Sequence, residues 1–413
     1  MVITGIGAVS PNGVGREVFW ASTRAGKSGV RRIDALLPAD LNVRIGGYAE
    51  AFDPGRHMER HELAHVGRVV PLALAAAEEA LADAGWDTAR FSLSERRDWG
   101  VVLGSGGAAL AFVENQFSTY FSGHDRRCSV YTIPSATPGT LASEISMRFG
   151  LRGCSHLLST GCTSSTDALG YARLLIASGK IGHLLCGGAD APLAPLIIRA
   201  FMLMRILTTS WNQQPEKASR PFSADRDGFV LGEGAWIFAL ESLRGARARG
   251  ARIYAEITGY GSTCEAFHRV RLETSGEEPA RAMRLALEEA GIGPDRVGYV
   301  NLHGTSTVLN DRIETRALKL ALGKSAYAVP ASALKSLIGH PQGASGAAGV
   351  AASLLAMRDG WLPPTVNLEC PDPECDLDYV PLRGRPCQIQ HALCNCIGFG
   401  SKNSALVLSR LPD

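Results

Sequence analysis

No stretch of this sequence reaches the roughly 18 uninterrupted apolar residues needed to cross a bilayer, so a membrane-spanning role is not expected. Charge of one sign is also missing. The net charge is +2, so the composition favours neither a nucleic-acid groove nor a membrane surface. No CxxC pair occurs among the ten cysteines. Their irregular spacing reads as reduced thiols rather than a disulfide framework. Cys370, Cys375, Cys387, Cys394 and Cys396 lie toward the carboxyl end but lack ligand pairing, and two of them fall in the strand-like "CNCIGFG", so no metal is expected. A secretory leader is not visible either. The chain opens on "MVITGIGAVSP", which reads as a strand, and a cytoplasmic protein is expected.

What is present is a large core. The chain has 413 residues, 46% hydrophobic and 20% charged, which fits two or three domains or one duplicated fold. Duplication is visible. "LALAAAEEALADAGW" (72–86) reads as an amphipathic helix ending at Gly85, followed by the strand "WGVVLGSGG". "AMRLALEEAGIGPDRVGYVNLHGTS" (282–306) repeats that order with Gly291 as the cap. "VITGIGAVS" is echoed by "AEITGYGST" at 255–263. Both halves are therefore expected to be α/β with mostly buried parallel strands, divided near residue 250 into 1–250 and 251–413. An active site is expected where strand ends of both halves meet.

One cysteine stands apart. Cys162 lies in "HLLSTGCTSSTDALGYARLLIASG" (156–179), between a short apolar run and a helical pattern with Leu169, Ala172, Leu175 and Ile176 on one face. Gly161 permits a tight turn that presents the sulfur, and the helix N-terminus favours a thiolate there. Candidate partners lie in the second half. His303 ends the strand-like "GYVNLH", and Lys335 and His340 stand five residues apart in "ALKSLIGHPQGASGAAG", ahead of an Ala-rich helix. Two histidines at strand-end glycine turns, with a cysteine at a helix start, form a constellation for nucleophilic chemistry.

These segments carry a resemblance. "STGCTSS", "HGTST…ND…E", "LKSLIGHPQGASGAAG" and "GFGSKNSALVL" resemble the condensing enzymes of the thiolase superfamily, specifically the β-ketoacyl-(acyl carrier protein) synthases, over nearly the whole chain. "GCTSSTDALGYA", "ASRPFSADRDGFVLGEGA" and "DPECDLDYVPL" are most similar to the catalytic alpha ketosynthase subunit of bacterial type II polyketide synthases. The resemblance implies a thiolase fold, a duplicated αβαβα five-layer α/β architecture. It implies decarboxylative Claisen condensation without metal or redox cofactor, on substrates carried by the phosphopantetheine of an acyl carrier protein.

By the same resemblance, Cys162 would carry the acyl group, and His303 and His340 would donate hydrogen bonds to the extender thioester. Lys335, paired with Glu314, would orient the histidines, and the amides of Cys162 and Phe399 would form an oxyanion hole. Thr305 and Thr307 match positions that contact the pantetheine arm. Asp311 reads as a structural turn acid. Gly107 and Ala108 stand where a bulky residue gates the acyl pocket in fatty-acid enzymes. Arg126, Arg127 and Arg205 would dock the carrier protein. The expected partner is a chain-length factor, a homologue lacking the nucleophile.

Three rivals share the fold. A thiolase would explain Cys396 in "CIGFG", but thiolases have no counterpart of His303 or Lys335. In the present chain Cys396 reads as a buried thiol. A chain-length factor would lack Cys162. A homodimeric fatty-acid-type ketosynthase is the alternative kept, although "IGFGSKN" departs from its usual "FGFGGTN".

Overall fold

The computed structural model describes residues 1–411; the last two residues of the 251–413 half lie outside them. Ten strands form two sets of five. In the first set the spatial order is Ser155–Leu158, Trp99–Gly104, His183–Asp190, Gly234–Glu241 and Val2–Ser10. In the second it is Ala331–Ser332, Tyr299–Asn301, His391–Gly398, Lys402–Ser409 and Ala255–Cys264. The sets join where Val2 and Ile3 pair with Glu256 and Ala255.

Strand direction corrects one expectation. In each set the first three strands are mutually parallel, and the last two pair antiparallel. Four strands of each set therefore run one way and one runs against them, so the sheets are mixed rather than all parallel. Strands covered by helices on both faces are apolar throughout whatever their direction, so composition did not separate the two cases. The duplication itself extends to this detail, because the two sets alternate direction in the same order.

Helices complete the layers. Val69–Asp83 packs on the first sheet and Glu277–Ala290 on the second. The sequence echo at 2–10 and 255–264 explains how closely they pack. A Cβ on Gly5 or Gly7 would collide with the carbonyls of Ala80 and Ala76, and one on Gly259 or Gly261 with those of Ala286 and Ala282. Only glycine lets the helix backbone rest on the strand.

Between the sheets lie Ser164–Ala177 and Ser345–Asp359. Ala168, Ala172, Ala347, Val350, Ala351 and Leu354 share one core cluster, because small side chains allow two helices to approach inside a dry layer. The Ser165 hydroxyl accepts the Ala347 N–H at 2.9 Å across that approach. Among the described residues no helix is long and apolar enough to cross a membrane.

Candidate active site

The site forms where the two central helices begin. The strand 155–158 ends in a 3-10 turn, Gly161–Thr163, which runs directly into the helix at Ser164. Gly161 has φ +70°, the left-handed conformation that glycine adopts without strain. The hydroxyl residues around the cysteine serve the turn. Ser164 Oγ donates to Gly161 O at 2.6 Å and accepts from Thr160 N at 2.9 Å. Thr160 and Thr163 donate to the buried Asp167, which also accepts the Tyr260 hydroxyl at 2.8 Å. A network satisfied on this scale fixes the corner.

Cys162 is 5% exposed. Its thiol, His303 and His340 have reactive atoms within 4.8 Å of one another. The N–H groups of Cys162 and Phe399 both face Sγ. His340 is held through Nδ1 by the Ser345 hydroxyl at 2.9 Å. His303 Nδ1 lies 3.3 Å from Lys335 Nζ and 3.4 Å from Cys396 Sγ, so Nε2 of each ring is the nitrogen left for the pocket. The two rings meet edge to face with centroids 5.3 Å apart.

Burial sets the charges. It holds both histidines well below the ordinary imidazole range, and the Lys335 charge lowers them further. Both are therefore neutral at pH 7. Burial also raises the Cys162 thiol to about 11, outweighing the lowering effects of Lys335 and the Phe399 amide. This corrects the expectation of a resting thiolate. At a fully buried sulfur, loss of solvation outweighs the helix N-terminus.

Lys335 and Glu314 also differ from expectation. Lys335 Nζ donates to His303 O at 2.6 Å, and no ion pair joins it to Glu314 among the described residues. The Glu314 oxygens accept the His303 and Gly304 N–H groups at 2.7 Å each, with Asn395 Nδ2 also at 2.7 Å. The acid thus supports the histidine loop from behind. Asp311 is buried in the first turn of the helix Val308–Leu322 rather than in an isolated turn, 3.2 Å from Arg226.

Two cavities meet at Cys162 and Phe399. One, of about 210 Å³, holds His303, His340, Thr305, Thr307 and Arg271; the two threonine hydroxyls are 2.9 Å apart. The other, of about 190 Å³, holds Gly107, Ala108, Asp190 and Gln342. Arg205 lies between Met204 and Ile206, which line the first cavity, whereas Arg126 and Arg127 occupy a 3-10 turn lining neither. Arg271, Asp190 and Gln342 escaped the sequence reading. Gln342 stood within the quoted "GHPQGASG", two residues past a recognised histidine, and that was its only signal.

Residues 1–246 match the beta-ketoacyl synthase N-terminal domain and residues 254–369 its C-terminal domain. The chain belongs to the β-ketoacyl synthase family. This ketosynthase is 40% identical to the tetracenomycin polyketide synthase ketoacyl synthase alpha subunit of Streptomyces glaucescens, covering 99% of this chain and 97% of that one. It is 41% identical to the 3-oxoacyl-[acyl-carrier-protein] synthase 2 of Rhizobium meliloti, covering 99% and 98%.

Among solved structures it superposes on the ishigamide ketosynthase/chain length factor with TM-score 0.91 and 32% identity. It also superposes on a ketosynthase bound to the hexaketide, in complex with its type II polyketide synthase acyl carrier protein, with TM-score 0.90 and 33% identity. Both matches cover 100% of this chain and 99% of the other. The fold is the thiolase-type α/β fold. The ketosynthase is an acyltransferase that forms carbon–carbon bonds by Claisen condensation through its Cys–His–His triad.

Proposed function

We propose that this ketosynthase is the condensing subunit of a type II polyketide synthase, taking acyl groups from an acyl carrier protein and working beside a chain-length-factor homologue in the cytoplasm. The observation that carries this reading is the pair of cavities meeting at the sulfur, the acyl side opening past Gly107 and Ala108 with no bulky side chain at the turn. The relatives named above include proteins of both polyketide and 3-oxoacyl synthase type, at 40% and 41% identity, so the support for this reading comes from the cavity rather than from the percentage.

The chemistry divides between the halves 1–250 and 251–413. Cys162 attacks the carrier-bound thioester. Its proton is lost during attack, and the carrier sulfur takes one up as it departs as the thiol. The pantetheine arm of the extender lies along Thr305 and Thr307. As its carboxylate leaves as CO₂, the C–C electron pair becomes an enolate whose oxygen accepts hydrogen bonds from His303 and His340. The enolate carbon then attacks the Cys162 thioester, the amides of Cys162 and Phe399 hold the developing oxyanion, the C–S bond breaks, and the departing Cys162 sulfur takes up a proton from water to return to the thiol. Lys335 and Glu314 are positioning residues for the 303–304 loop. Arg126, Arg127 and Arg205 are the docking candidates for an acidic carrier protein.

A partner is needed on the acyl side. Phe121, Val130 and Ile133 are 81%, 82% and 77% exposed, in the segment that follows the glycine turn, and apolar surface of this kind marks an interface. Co-purification with a cysteine-less homologue, followed by a product-length assay, tests the reading. Gly107→Phe is expected to stop elongation while Cys162 still accepts a short acyl group. A homodimer that makes full-length product alone, indifferent to that substitution, would return the assignment to the fatty-acid type.

A further inference from the structure

The acyl-side cavity is lined mainly by the glycine turn 106–108 and by Ile197, Phe201 and Phe399. Besides the Cys162 thiol, Asp190 and Gln342 are its only polar side chains among the described residues. Asp190 has its oxygens engaged, accepting from Ser105 Oγ, Gly106 N, Gly107 N and Gly343 N at 2.6, 2.7, 3.1 and 2.7 Å. Gln342 is the opposite case. Its Nε2 is buried with no hydrogen-bond partner, an arrangement that opposes folding unless something else is gained.

The backbone at Gln342 points the same way. Its φ is +44°, a left-handed conformation in which a side chain of this size is strained, and strain of this kind concentrates at functional sites. The duplication supplies an internal control. Gln342–Ala344 is a 3-10 turn leading into the helix 345–359, as Gly161–Thr163 leads into 164–177. The residue matching Gln342 is Gly161, at φ +70°. Glycine would serve both corners, yet the second carries a glutamine, which is among the residues lining the cavity and whose amide nitrogen lies buried beside it. The corner also has no room to retreat, because a Cβ on Gly343 would collide with the Gly106 amide.

We infer that Gln342 is a specificity-determining residue whose free amide N–H donates a hydrogen bond to a carbonyl oxygen on the Cys162-bound acyl chain. The cavity then favours a chain bearing keto groups over a saturated chain of equal length. This rests on the ketosynthase reading above and names the class of acyl group it handles. A keto oxygen satisfies the buried donor, whereas methylene groups leave it unpaired. One neutral hydrogen bond corresponds to a preference of about three- to tenfold.

The test presents the full chain, in the dimer it purifies in, with octanoyl, 3-oxooctanoyl and 5-oxooctanoyl pantetheine thioesters at equal concentration. Acyl-Cys162 is read by intact mass. The two keto positions offer the oxygen at two depths. At least one keto chain is expected to load about three- to tenfold over octanoyl. Gln342→Met, which keeps side-chain length and removes the donor, is expected to bring that ratio to about one, and Gln342→Leu serves if the Met variant folds poorly. Equal loading of all three chains by the native protein, or a keto preference that survives both substitutions, would overturn the inference. Failure of Cys162 to accept any of the three would overturn the ketosynthase reading, and this inference with it.

Discussion

In the first half, a turn of Gly161–Thr163 leads into the central helix, and its middle residue is the nucleophile. In the second half, a turn of Gln342–Ala344 leads into the matching helix, and its middle residue is Gly343, whose N–H is bound by Asp190. The two corners share a turn type, a left-handed first residue and a following serine that opens the helix. They differ in what they hold. A strand-to-helix corner is therefore not in itself a nucleophile site. The first becomes one because two amides face its sulfur and two imidazoles from the other half reach it. The second serves as wall and anchor.

The largest expected effect comes from removing what separates the corners. Cys162→Ala is expected to abolish acyl-enzyme, a loss on the order of a thousandfold or more, with the thermal unfolding temperature little changed. Acylation persisting at Cys396 in that variant, seen by peptide mass spectrometry, would contradict the assignment. Next come the residues the second half lends to the first. His303→Ala and His340→Ala are expected to lower elongation by about a hundredfold or more while single-turnover acylation falls much less. Equal losses in both steps would end the proposed division of labour.

The pH dependence is smaller but has a definite sign. Burial favours the neutral thiol and places its pKa at about 11. The thiolate fraction, and with it alkylation of Cys162 by iodoacetamide, is then expected to rise about tenfold per pH unit between 7 and 9. Lys335→Met removes a charge that lowers this pKa, so alkylation at pH 8 is expected to slow. A plateau below pH 9 in the native protein would show a far more acidic thiol.

The smallest effect exchanges the left-handed residues. Gly161→Ala is expected to cost about 1–2 kcal/mol, whereas Gln342→Gly is expected to gain up to about 1 kcal/mol from strain relief. Urea unfolding midpoints measure both. Losses of equal size would mean that the corners are not equivalent.

The duplication and the triad were legible in the sequence because both rest on local signals. The "TGIG" and "TGYG" strands mark places where a helix backbone lies on a sheet, and glycine turns follow Cys162's strand and His303. Non-local choices were not legible. Whether a doubly covered strand runs parallel depends on its neighbours, not its composition. The carboxylate of Glu314 had several possible partners, and the amides of His303 and Gly304 took it instead of Lys335. The helix-start argument for Cys162 counted the favourable dipole but could not weigh the buried surroundings. Gln342 went unread because a lone glutamine has no spacing rule; its meaning lies in φ and in an unpaired atom.

The anchoring of Gly343 by Asp190 bears on the order in which the molecule can be assembled. The carboxylate ends a strand of the first half, three of its bonds secure the first-half turn at 105–107, and the fourth crosses to the second half. Neither half folding first can finish the acyl chamber, since each supplies one wall and the buried acid awaits its last donor until they dock. Chain cut near residue 250 would yield fragments with sheets but no chamber, and the competence to hold a growing product would appear only at the final step of folding.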